Sequence, residues 1–157
     1  RDGELFAEVV YEPVSDQMFT AERGQGAYLN NHRIRVSARK NLEDSIFATG
    51  IPFAGCNGHS DFLQQLKAIM PETSGIRRFG SAALDLAYVA AGRFEGFWES
   101  GLNAWDIAAG IVLVREAGGF VSDLDGNNEM LKSGDIIAAN DQIHSALSEI
   151  LTKAATN

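Results

Sequence analysis

Two segments of this 157-residue chain leave little freedom for the fold around them. Residues 81–91 and 104–117 carry helical spacing, yet they are apolar nearly all round. A surface helix keeps one polar face toward water; a helix without one is covered on most sides. Gly92 closes the first segment and Gly118-Gly119 the second, where a left-handed C-terminal residue is wanted. The pair predicts a layered α/β fold (α+β layered) with a mixed or antiparallel sheet, not an alternating βαβ series.

The rest of the chain supplies the layers. The first third reads as a β-meander. A turn at Arg1-Asp2-Gly3 leads to a strand over 4–11, and a second strand spans 17–22 until Gly24 and Gly26 break it. Residues 27–29 and 34–36 flank Asn30-Asn31-His32-Arg33, a tight hairpin, because Asn tolerates positive φ. Further strands are expected at 45–49, 75–79, 94–98, 120–122 and 136–139. Amphipathic helices are expected at 60–70 and 142–153, with a fraying tail at 154–157. The length suits one domain, residues 1–157.

Charge narrows the partners. Thirteen Lys+Arg against 21 Asp+Glu give a formal charge of −8, which repels phosphate backbones, so no direct nucleic-acid binding is expected. A small anion would need local cations or helix ends. No run of 18 apolar residues exists, so no membrane span is expected. The lone Cys56 forms no internal disulfide and fits a reducing, cytoplasmic setting; it reads as an ordinary thiol. His32, His59 and His144 have no metal-ligand spacing. Gly24-Gln25-Gly26 lacks the third glycine of a dinucleotide site. In residues 123–129 the glycine stands fourth rather than sixth, so a solvated turn is expected instead of a calcium loop.

The chemistry concentrates between Arg77 and Gly119. Glu99 ends a strand, and seven residues later Asp106 opens the second apolar helix. Asp106 reads either as a first-turn acid that complements the helix dipole or as a ligand for a hard divalent ion. It follows Trp105 and precedes eight uncharged residues, so it wants a cation or strong donors. Gly80-Ser81-Ala82 reads either as a plain Ser cap or as a small-residue helix entry whose free N–H groups accept an oxyanion. Asp85 is expected as a buried structural acid hydrogen-bonded to backbone. Arg77-Arg78 could attract phosphate or pair with acids, across an interface or on the surface.

These segments together are specific. Residues 80–93, Gly-Ser-Ala-Ala-Leu-Asp-Leu-Ala-Tyr-Val-Ala-Ala-Gly-Arg, resemble the inositol monophosphatase family. So do Trp105-Asp106-Ile107-Ala108-Ala109-Gly110 and the following Glu116-Ala117-Gly118-Gly119, with similar segments at 22–27 and 137–140. The resemblance covers essentially the whole chain and is closest to bacterial members. It implies the C-terminal part of the family's αβαβα sandwich, usually a homodimer. It implies a magnesium-dependent, lithium-sensitive phosphatase that acts on a small phosphorylated polyol, inositol 1-phosphate. Asp106 would be the catalytic metal ligand and would also touch substrate. Gly80, Ser81, Ala82 and Glu99 would bind substrate. The family's upstream Glu-Glu pair and Asp-Pro-Ile/Leu-Asp-Gly-Thr motif do not occur here, so the chain reads as a C-terminal portion, inactive alone. Two alternatives remain. One is a relative acting on 3′-phosphoadenosine 5′-phosphate, fructose bisphosphate or histidinol phosphate. The other is a non-catalytic assembly module.

Overall fold

The computed structural model describes residues 5–155. Its first sheet is a four-stranded antiparallel meander: β1 (Ala7–Glu12), β2 (Gln17–Glu22), β3 (Gly26–Leu29) and β4 (His32–Ile34), in that order. Period-2 alternation sends Val10, Phe19, Ala21 and Ala27 into the core, while Val9, Tyr11 and Met18 stay exposed. The β3–β4 turn is tighter than expected. Only Asn30 and Asn31 form it, at φ +46° and +65°, and β4 already starts at His32. Two consecutive left-handed residues match the strand twist, which leaves His32 and Arg33 free to pair.

The second sheet has the order β6-β5-β7-β9-β8. It comprises β5 (Ile46–Thr49), β6 (Gly75–Arg77), β7 (Gly96–Glu99), β8 (Phe120–Ser122) and β9 (Ile136–Ala139). β5 runs parallel to β6 and β7; β9 is antiparallel to β7 and β8. The expected mixed and antiparallel patterns therefore both occur, in separate sheets.

The two apolar helices lie between these sheets. They are α2 (Ala82–Ala90) and α3 (Ala104–Glu116). α3 meets β1, β2 and β3 on one side and β8 and β9 on the other. α2 meets β1 on one side and β5, β7 and β9 on the other. That double cover is why neither helix needs a polar face. The outer face of the second sheet carries α1 (His59–Ile69) and α5 (Asp141–Ala155), with Phe47, Trp98, Ile137, Ile143 and Leu147 in one buried cluster. The layers thus run sheet, helix pair, sheet, helix pair.

Polar pins fix the layers to one another. Glu116 of α3 accepts from the Gly24 and Gly26 N–H groups at 2.8 and 2.9 Å, tying the β2–β3 turn to the helix end. The chain crossing from first to second sheet is held by Asn140, whose Nδ2 donates to the Ser37 and Arg39 carbonyls. Buried Glu95 accepts from Arg39 and from the Ile46 N–H.

Several boundaries differ from expectation. β1 begins at Ala7, not at residue 4, and the turn expected at residues 1–3 lies outside the described residues. β6 stops at Arg77. β7 starts two residues late, at Gly96, although the Glu95 N–H already bonds Ile46 O on the neighbouring strand. A short helix α4 (Met130–Ser133) was not expected. Ala154 and Ala155 are helical rather than frayed, with buried Leu151 and Ala154 anchoring that last turn; the rest of the expected tail, 156–157, lies outside the described residues.

α2 and α3 approach closely at Gly110, where a Cβ would overlap Leu86 Cβ and Cδ1. Gly110→Ala gains about 1 kcal/mol of helix propensity and loses about 1–3 kcal/mol to overpacking. The loss should win, so urea denaturation should show lower stability. A variant as stable as wild type would count against the close approach.

Candidate functional site

The parallel strands β5, β6 and β7 end on one edge of the second sheet, and α2 and α3 begin there. Strand C-termini and helix N-termini meet at such an edge, which is where open α/β sheets place ligands. The expected site residues lie on these ends.

The step from β6 into α2 turns at Gly80, whose φ of +87° suits glycine. The Arg78 guanidinium lies over it, with Nη1 3.1 Å from where a Gly80 Cβ would sit. Ser81 is the N-cap in extended conformation, and its hydroxyl accepts from the Leu84 N–H at 3.5 Å. The capping reading of Ser81 therefore holds for the hydroxyl. Ala82 is the first helical residue.

Glu99 is the last residue of β7, on the same face as Phe97, which packs in the core around α2 and α3. Gly50, directly after β5, lies against its carboxylate. Asp106 sits in the first turn of α3, half-buried. Its Oδ2 accepts from the Asn103 N–H at 3.0 Å and from Asn103 Nδ2 at 3.3 Å. The strong donors it was expected to want are thus supplied by its own helix start. Trp105 beside it is 78% exposed, so the Asp106 surroundings are more open than the sequence suggested.

Asp85 departs from expectation. It is buried at 1% exposure, but neither carboxylate oxygen has a hydrogen-bond partner. It stands fourth in α2, one residue past the N–H that Ser81 caps, so the helix start does not serve it. Its electrostatic neighbours are Glu99 and Arg78. Burial, reinforced by Glu99 and opposed by Arg78, pushes its carboxyl up to about 7. Burial also pushes Glu99 up to about 7, with Arg78 opposing and Asp106 adding to the rise.

Asp85, Glu99 and Asp106 thus share one field with one arginine. The excess negative charge suits hydroxyl donors or a hard cation with oxygen ligands. Asp106 can offer one carboxylate to such an ion. Among the described residues, however, no group of three His, Cys, Asp or Glu side chains is placed to hold a metal. The donor set present is therefore too small to hold the ion by itself. Arg77 belongs to the end of β6 and is exposed, and of the two arginines it is Arg78 that influences the site acids. Away from this edge, Asp123 Oδ1 accepts from the Asp125 and Asn127 N–H groups, so that carboxylate closes its own turn.

Sequence reasoning missed the role of Gly50 and the unpaired state of Asp85. Gly50 falls just past the strand expected at 45–49, and nothing in the local sequence signals that Glu99 crosses onto it. Only the β5–β7 register reveals that.

The chain matches the Inositol monophosphatase family over residues 1–156. It is 53% identical over 153 residues to an inositol-1-monophosphatase of Mesorhizobium japonicum, covering 98% of this chain and 58% of that protein. It is 50% identical over 147 residues to Nus factor SuhB of Pseudomonas aeruginosa, covering 92% and 54%. A crystal structure of extragenic suppressor protein suhB from Bartonella henselae superposes with a TM-score of 0.93 at 55% identity, covering 96% and 58%. The chain therefore spans little more than half the length of these relatives. No helix among the described residues is long and apolar enough to cross a membrane.

The raised carboxyls set a pH dependence. Ordinary values are 3.8 for Asp85 and 4.5 for Glu99, against about 7 in the fold. Between those values the folded chain holds more protons than the unfolded chain, so stability falls as pH rises through that window. Asp85→Asn removes its share. We expect a gain of about 1–3 kcal/mol at pH 8 and a shallower decline from pH 4 to 7 in urea denaturation. A variant less stable than wild type at pH 8 would refute this.

Proposed function

The chain belongs to the inositol monophosphatase family, and on that premise we propose that it forms the substrate-binding C-terminal part of a magnesium-dependent phosphomonoesterase. The substrate class is a small phosphorylated polyol, with inositol 1-phosphate as the first choice. One observation carries the reading. Glu99, Asp106 and the Gly80-Ser81-Ala82 helix entry converge on one sheet edge with an excess of negative charge.

Each group has a task it can perform there. Glu99 is a half-buried acceptor at a strand end, suited to hydroxyl groups of a polyol. The N–H groups at the start of α2 suit an oxyanion, and Arg78 above Gly80 adds positive charge. Asp106, held by Asn103, presents a pre-positioned carboxylate as one metal ligand. Magnesium, when bound, would polarise the phosphate and activate water. Among the described residues no further acids are grouped to complete the ion's coordination, so the 157 residues alone would turn over poorly. The whole protein is proposed to act as a homodimer in the cytoplasm. Phosphoadenosine, fructose bisphosphate and histidinol phosphate esters are the competing substrates within the same chemistry.

A second reading has one observation of its own. A relative 50% identical to this chain bears the name Nus factor, which favours an assembly role beside catalysis or in place of it. Asp106→Asn in the whole protein separates the two: the assembly reading gains if activity stays intact while a partner or dimer contact is lost, and the catalytic reading gains if activity falls.

Phosphate release from inositol 1-phosphate with Mg²⁺ is the direct test. The whole protein should turn over, and Asp106→Asn should lower kcat by about 100-fold or more. The 157-residue chain should stay near background. Turnover by the short chain close to that of the whole protein would sink the incomplete-site reading.

A further inference from the structure

We propose that Gly50 is a positioning residue for Glu99: the bare backbone at the end of β5 is the seat on which the Glu99 carboxylate rests, and it thereby sets selectivity for hydroxyl-bearing phosphate esters. The selectivity part rests on the phosphatase reading above; the seat itself rests on geometry alone.

Four observations converge. A Cβ built on Gly50 would overlap the Glu99 carboxyl carbon and both carboxylate oxygens, closer than real Cβ atoms ever approach a neighbour. The three nearest atoms all belong to that one carboxylate, not to backbone or to apolar core. Unlike Gly80, Gly50 has no left-handed φ, so backbone conformation does not demand glycine here. Space does. Finally, the register makes the contact unavoidable. Thr49 pairs with Trp98 across the parallel β5–β7 ladder, so the next residue on each strand, Gly50 and Glu99, emerge side by side. The Thr49 hydroxyl donates to the Trp98 carbonyl at 2.7 Å and locks that register at the last pair.

The consequence is steric and directional. Glu99 lies flat against β5 because nothing stands in its way. Any side chain at position 50 would displace the carboxylate from this seat, within a field it already shares with the like charges of Asp85 and Asp106. A hydroxyl of the substrate would then lose its acceptor, whereas a phosphate ester without hydroxyls would not need it.

The test is a cycle of Gly50→Ala, Glu99→Ala and the double variant in the whole protein. Two quantities are read: melting temperature, and the ratio of kcat/KM for inositol 1-phosphate to that for p-nitrophenyl phosphate. Gly50→Ala should lower the ratio by about tenfold and lower the melting temperature. With Glu99 already removed, the same substitution should change neither. Glu99→Asp in the Gly50→Ala background should recover part of the ratio, because the shorter side chain clears the new methyl. If Gly50→Ala fails to fold, folding of the double variant supports the seat, and failure of both overturns it. Equal loss of melting temperature with and without Glu99 overturns it, as does an unchanged ratio. A wild type with no turnover of inositol 1-phosphate defeats the phosphatase reading instead, and the melting-temperature cycle still decides the seat.

Discussion

Burial of α2 and α3 between two sheets is the constraint from which the other features follow. The helices offer no polar face, so both sides must be covered. The first sheet covers one side through Val10, Phe19, Ala21 and Ala27, and the second covers the other through Ala48, Phe97, Ile136 and Ala138. Gly110 lets the helices close to near contact at Leu86. Close packing of this kind fixes where each helix starts, because a shift along either axis would drive Leu86 into backbone. The positions of Ser81 and Asp106 are therefore consequences of core packing about one turn away.

The same burial makes the site costly. Asp85 occupies α2 where its neighbours Leu86 and Ala87 are fully buried, and its carboxylate receives no hydrogen bond. A buried acid in that state favours its neutral form. Glu99 is less enclosed, but it too is pushed toward neutrality. Arg78 opposes both shifts from the loop before α2. One cation beside three carboxyl groups, two of them pushed toward their neutral forms, is a poor arrangement for stability. Folds tend to place such strained polar groups where function needs them.

The layered class was legible because apolar helices and alternating strands are local patterns. The 17–22, 120–122 and 136–139 strands lie as the alternation and β-branched content predicted. Glu99 and Asp106 were legible as a strand-end acid and a helix-start acid, and the structure puts them at one edge. What escaped reading depends on contacts distant in sequence. Asp85 was expected to find backbone partners, and it has no hydrogen-bond partner and feels the charges of Glu99 and Arg78 instead. The Asn30-Asn31 turn was placed but drawn too wide, since only pairing with β3 shows that His32 belongs to the strand. Gly50 gave no signal, because its meaning lies 49 residues away.

That last case shows how parallel pairing creates specificity. In the β5–β7 ladder, residues on adjacent strands leave the sheet together, so a functional side chain at one strand end inherits whatever its neighbour presents. Thr49 and Trp98 form the last locked pair. Beyond it, the chain can vary Gly50 without touching the core, yet every variation falls on Glu99. By contrast, Asp106 is held by Asn103 within its own helix start and does not depend on another strand. The two acids therefore differ in what controls them. One is set by local capping and the other by a neighbouring backbone, so the two carboxylates can be repositioned independently on the same scaffold.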